Sequence, residues 1–184
     1  MIDTHAHLES EEAPALLERA RGAGVGRVIA VATSIEGCRE ALALFEAQLS
    51  LAAAHGLPVV IHSREADADT LAALAGFEGT VVCHCFSSPG MLATVLERGY
   101  YVSFAGNLTF PNASPLRDAA RLCPPERLLL ETDSPYLSPV PLRGRRNEPA
   151  YVMHTLDALA QARGEEAAAL GARIDANADA AFAL

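Results

Sequence analysis

The chain has 184 residues, of which 51% are hydrophobic and 20% charged. That supports one folded domain, residues 1–184, with a sizeable core, and excludes a disordered chain. The net charge of −9, with arginine as the only basic residue besides histidine, excludes a broad basic face for non-specific duplex binding. It leaves room for a small site where metal ions supply the positive charge.

Residues 2–8, Ile-Asp-Thr-His-Ala-His-Leu, read as a short strand. Side chains alternate along a strand, so Asp3, His5 and His7 share one side. Two imidazoles spaced this way can grip one divalent cation, and the carboxylate beside them could orient a ring or join the metal shell. Residues 9–23 read as a helix ended by glycine, and the apolar run 27–33 as a strand buried on both faces. A helix of about twenty residues follows from Ser34 to near Ala54, long against the usual dozen. Strand signals then recur at 57–64, 79–86, 100–105 and 128–133, separated by helix signals at 66–74, 89–98 and 115–122. A proline-rich loop spans 134–146, and helices over 149–163 and 165–184 finish the chain, the second rich in alanine. Strictly alternating strands and helices imply a parallel sheet wrapped by helices.

Candidate ligands recur at the ends of these strands. His62, His84 and Asp133 stand at C-terminal strand ends, and His5 and His7 belong to the first strand. In parallel α/β barrels, active sites lie at that end. Four imidazoles and one carboxylate suffice for one or two divalent ions. Cys83 and Cys85 flank His84, and strand alternation places both in the core, opposite the imidazole. None of the four cysteines forms a C-x-x-C pair, no secretory segment follows Met1, and no apolar run approaches membrane-spanning length. The expectation is a cytoplasmic protein with reduced thiols and no membrane partner.

These segments resemble the TatD-type metal-dependent deoxyribonucleases, within the larger amidohydrolase-like superfamily. The resemblance rests on "IDTHAHL" at the start, "LPVVIHSREAD" up to Asp67, "HCFS" at 84–87, "ETDSPYL" at 131–137 and "PLRGRRNEPAYV" at 141–152. It implies a TIM-barrel-like (β/α) fold, and it puts His5, His7, His62, His84 and Asp133 at the family's metal-ligand positions. The implied activity is metal-dependent cleavage of DNA phosphodiesters, typically from a 3′ end of single-stranded DNA, with Mg, Mn or Zn as cofactor. Asp133 would hold metal and accept a proton from water. Arg143, Arg145 and Arg146, in the loop after the last strand, would meet substrate phosphates, with Arg64 a weaker candidate.

The chain also departs from the family. Two blocks join abruptly near residues 44–45, where the family carries two further βα units. One of those units bears a "GEIGLD"-like strand whose glutamate bridges the metals, and the only Gly-Glu pair here is Gly164-Glu165, in a helical context. Six strands are read instead of eight, so the expected barrel is incomplete, with open edges that invite self-association. The ending "ANADAAFAL" also drifts from the family's. Two alternatives to the nuclease therefore stand: a catalytically impaired metal-binding barrel, or an amidohydrolase-like enzyme acting on a cyclic amide or ester.

Overall fold

The apolar runs form strands at their centres and release the polar residues that follow. A computed structural model describes residues 1–6, 13–30, 38–64 and 66–184. Within them lie β1 (Ile2–Ala6), β2 (Arg27–Ala30), β3 (Val59–Ile61), β4 (Val81–Cys83), β5 (Tyr101–Phe104) and β6 (Leu128–Leu130). The helices between and after them are α1 (Ala13–Gly22), α2 (Cys38–His55), α3 (Asp67–Ala73), α4 (Leu92–Glu97), α5 (Ser114–Leu122), α6 (Val152–Arg163) and α7 (Ala167–Phe182). The order is the expected α/β alternation. Each of β3, β4 and β6 is shorter than its apolar signal, so the chemically active residues sit just beyond the strands.

Every strand pairing is parallel. One ladder joins β1 to β2, and another runs β3-β4-β5-β6. The two meet where β1 lies beside β6. Ala6 bridges Ser134 in parallel, the Asp133 amide donates to the His5 carbonyl at 2.9 Å, and the Thr4 hydroxyl donates to the Leu130 carbonyl at 2.8 Å. The resulting order is β2-β1-β6-β5-β4-β3. Among the described residues no ladder joins β2 to β3, the position where the sequence departs from the family.

Both faces of the sheet are buried, which is why its strands read as continuous apolar runs. On one face Val81, Cys83, Val102, Phe104, Leu128 and Leu130 pack against the surrounding helices. On the other, Ile2, Val82 and Leu129 gather with Ala178 and Ala181 of α7. The last helix therefore does more than cover apolar surface. Asn177 donates to the carbonyls of Pro125 and Leu128 at 2.7 and 2.9 Å, Asp175 accepts from the Ile2 amide at 2.6 Å, and Asp179 pairs with Arg27 at 2.5 Å. Asn177 and Asp179 of the divergent ending, with Asp175 just before it, thus fasten β6, β2 and β1 together.

The seam between β1 and β6 is locked by a buried carboxylate. Asp3 is fully buried; its Oδ1 accepts from the Thr132 amide at 2.8 Å and its Oδ2 from the Thr132 hydroxyl at 2.6 Å. The same Oδ1 takes the His5 amide at 3.3 Å. Burial pushes the Asp3 carboxyl up to about 7 against the lowering effect of these hydrogen bonds. Asp3 is therefore engaged by backbone and hydroxyl, and the sequence-based option of ring orientation gives way to a structural clamp. Replacing Asp3 by Ala leaves the buried Thr132 amide unmatched and its hydroxyl only the His5 carbonyl at 3.4 Å, and should cost about 2–4 kcal/mol. Asp3→Asn keeps an acceptor for the Thr132 amide and should cost less than half as much. Urea unfolding of the two variants checks the difference; equal losses would show that packing, not hydrogen bonding, holds the seam.

Candidate metal centre

Each site residue reaches its place because a strand ends beneath it. His5 is the penultimate residue of β1, His62 follows β3 directly, His84 follows β4, and Glu131 and Asp133 follow β6. All lie at the C-terminal end of the parallel sheet, as β/α barrels require of an active site. The imidazoles of His5 and His84 stack with centroids 3.5 Å apart. Their Nε2 atoms converge on one carboxylate oxygen: Asp133 Oδ1 lies 3.8 Å from that of His5 and 3.7 Å from that of His84. Such separations are too long for hydrogen bonds. They match the spacing of two ligands that each sit roughly 2.1 Å from a shared cation. The His62 ring is exposed at the rim, its centroid 5.6 Å from that of His84. His7 lies outside the described residues.

Asp133 adopts φ 56°, a left-handed backbone conformation unusual for a side chain other than glycine, asparagine or aspartate. The conformation belongs to the turn that opens the proline-rich loop, where the Tyr136 amide donates to the Asp133 carbonyl at 2.9 Å. Asn147 holds the far side of that loop. It is buried, and its amide donates to the carbonyls of Thr132 and Tyr136 at 2.8 and 2.5 Å. Gly106, after β5, packs so closely under the loop that a Cβ there would collide with the Leu137 carbonyl.

Glu131 has a role the sequence reading did not assign. It is 1% exposed, and its Oε1 stands 2.6 Å from His84 Nδ1 and accepts the Cys85 amide at 2.9 Å. Burial disfavours a charged His84 imidazole, but the hydrogen bond and charge of Glu131, with the charge of Asp133, outweigh it and raise the imidazole above its ordinary range. A carboxylate behind a histidine fixes which ring nitrogen faces forward, here Nε2 toward Asp133. The signal was present in the sequence as an acid directly after three leucines, a costly place for a charge without a partner. The "GE" pair at 164–165 is excluded from such a role: Gly164 ends α6 at φ 68°, and the Glu165 carboxylate is held by Arg163 and Arg173 at 2.7 and 2.6 Å.

The donor set suits a divalent cation. His5, His84 and Glu131 present ligand atoms within 4.8 Å of one another, as do His84, Cys85 and Asp133. Cys85 corrects the expectation that both flanking cysteines face the core. Strand β4 stops at Cys83, and Cys85 has φ 45°, so alternation no longer governs its direction. Cys83 is buried in the core as expected, its thiol pushed up to about 12 by burial.

The arginines of the loop are exposed at 143, 145 and 146. Arg143 lies over the Phe110 ring with 3.7 Å from guanidinium carbon to centroid, and Ser138 donates to the Arg145 carbonyl at 2.5 Å. Among the described residues no helix is long and apolar enough to cross a membrane.

Comparison with known proteins agrees with this architecture. The family model for TatD related DNase matches residues 39–183. The chain belongs to that family. The matched span carries His62, His84, Glu131 and Asp133, while β1 with His5 precedes it. The metal-dependent hydrolase YcfH of Escherichia coli K12, itself uncharacterized, is 50% identical over 111 residues, 58% of this chain and 42% of that protein. A 3′-5′ ssDNA/RNA exonuclease TatD from Citrobacter rodentium is 40% identical over 149 residues, 76% of this chain and 57% of that one. The crystal structure of YjjV, a TatD homologue from Escherichia coli K12, superposes with a TM-score of 0.88 at 25% identity, covering 100% of this chain and 98% of that one. The chain spans about half the length of the curated relatives it matches.

Glu131 gives a direct test of the geometry. Glu131→Ala frees the His84 ring and should weaken cation binding roughly tenfold to a hundredfold, the usual effect of removing a carboxylate behind a metal-binding histidine. Isothermal titration with manganese or zinc measures it; unchanged affinity would mean that His84 needs no support from Glu131.

Proposed function

We propose that residues 1–184 form one metal-dependent hydrolase domain that cleaves phosphodiester bonds in DNA, working from the 3′ end of single strands. One observation carries this reading: the Nε2 atoms of His5 and His84 converge on Asp133 Oδ1 at the C-terminal end of the sheet, in a chain of the TatD related DNase family. His5, His84 and Asp133 would hold the cation, with His62 at the rim and His7 as a further ligand. A divalent ion there, magnesium, manganese or zinc, one or two in number, supplies an acidified water and neutralises phosphate charge.

The remaining chemistry belongs to the protein. Asp133, next to both imidazoles, takes the proton from the attacking water at its carboxylate. Glu131 keeps His84 Nε2 directed at the centre. Arg143, Arg145 and Arg146 bind phosphates of the strand, and Arg64 is a further exposed cation beside His62. The Phe110 ring under the Arg143 guanidinium restricts its motion, which limits the entropy lost when it meets a phosphate. Tyr136, 62% exposed and two residues past Ser134, offers a face on which a base can stack.

The assay is direct. With manganese or magnesium, the protein should shorten a 5′-labelled single-stranded DNA stepwise from its 3′ end. Asp133→Asn should lower the rate by about 10²–10⁴-fold, the range expected for a proton acceptor. Replacing Arg143, Arg145 and Arg146 by Ala should leave metal content unchanged and flatten the salt dependence of binding by about two units of slope, at roughly 0.7 per lost contact on single strands. Metal-loaded protein that leaves such DNA intact would overturn the reading.

The edge at β3 bears on the assembly. A cavity of about 420 Å³ lies between α2 and β3, lined by Phe45, Leu49, Leu51, Leu57, Val59 and Ile61 among others, and Leu51 and Leu57 are 54% and 53% exposed. We infer that this apolar edge draws two copies together, and that the missing bridging carboxylate leaves a second cation weakly held and the enzyme slow. Light scattering should show a dimer at micromolar concentration that Leu51→Glu/Leu57→Glu dissolves; a monomer at every concentration would sink the inference.

A further inference from the structure

We propose that Cys85 Sγ is a ligand of this centre, so that His84, Cys85 and Asp133 hold one thiophilic cation of the zinc class. The proposal rests on the reading of His84 and Asp133 as metal-holding residues. A ligand atom from each of the three lies within 4.8 Å of the other two. Imidazole, thiolate and carboxylate together form a donor set that suits zinc and its heavier congener cadmium better than magnesium.

The position is built, not incidental. Cys85 and Asp133 both adopt left-handed backbone conformations, φ 45° and 56°. Such strain in non-glycine residues is kept only where the surroundings enforce it. At Cys85 it is Glu131 that enforces it, since one oxygen faces His84 Nδ1 at 2.6 Å and accepts the Cys85 amide at 2.9 Å, while at Asp133 the turn closed by the Tyr136 amide does so. A single buried carboxylate thus orients two neighbouring donors. Its other oxygen, Oε2, is buried with no hydrogen-bond partner among the described residues. The sulfur is oriented too: the Asn107 amide donates to it at 3.9 Å, a contact that favours electron density on sulfur. Neither Cys83 nor Cys123 shares these features. Cys83 lies in the core, and Cys123 Sγ faces the Pro124 carbonyl at 3.7 Å.

On binding, the metal–sulfur bond forms as the S–H bond breaks, and the proton leaves to water. The consequence is selectivity. A wholly oxygen and nitrogen site would accept magnesium and manganese readily, whereas the thiolate biases this one toward zinc.

The experiment uses the full chain loaded with cadmium and, separately, zinc. Cadmium should produce an ultraviolet thiolate-to-metal charge-transfer band. X-ray absorption of the zinc form should show a sulfur neighbour at about 2.3 Å. Cys85→Ser should lose the band, and its zinc affinity should fall roughly tenfold or more while manganese affinity holds. Cys123→Ser should keep the band. Should Cys85→Ser fold poorly by circular dichroism, Cys85→Gly suits the left-handed backbone and replaces it. Wild-type protein that binds cadmium in a His84-dependent manner without a band, or a band that survives loss of Cys85, overturns the proposal alone. Failure to take up any cation, or uptake unchanged by His84→Ala, overturns the underlying metal site and the proposal with it.

Discussion

The contact on which the rest depends is the clamp between Asp3 and Thr132. It joins the first strand to the last across a separation of 129 residues. Together with the Thr4–Leu130 and Asp133–His5 hydrogen bonds, it holds His5 of one ladder against His84 and Asp133 of the other. The clamp is polar and buried, so its geometry is strict: both carboxylate oxygens accept from a single residue. An apolar seam of equal area would tolerate sliding. A one-residue slip here would turn His5 away from Asp133, because strand side chains alternate.

Around that seam the architecture is a set of supports for short polar turns. The strands stop after three to five residues. Beyond them the chain turns, and the turns are where His84, Cys85, Glu131 and Asp133 sit. α7 ties the N-terminal side of the sheet through Asn177, Asp175 and Asp179. Asn147 ties the opposite end, where the arginine loop crosses above Thr132. The rigid part is thus fixed at both ends by buried hydrogen bonds, and the charged donors project from it. Such an arrangement holds the stacked imidazoles of His5 and His84 3.5 Å apart.

The acidic net charge and the arginine loop are compatible for the same reason. Long-range attraction of a polyanion is weak for a chain of charge −9. Under the proposed function, local recognition falls to a metal ion and a few exposed guanidinium groups, which act within a Debye length of about 8–10 Å at ordinary salt.

The sequence by itself determined the order of elements, the parallel sheet, the family, and which strand ends carry histidine or acid. Those properties are local: periodicity, glycine and proline punctuation, and a polar residue closing an apolar run. It also marked the arginine loop and the long α2, and it located the break between β2 and β3. Only the tertiary structure decided what the side chains face. Alternation along an assumed strand sent Cys85 to the core, but the strand ended at Cys83 and a left-handed turn brought the sulfur to His84 and Asp133. The same residue pattern left Asp3 open between ring orientation and metal binding, and a partner 129 residues away claimed it. Glu131 looked like the end of a strand and became the hinge of the site. Each of these outcomes depends on contacts between distant segments, and a carboxylate or thiol takes its role from whichever partner the fold brings within about 3–4 Å.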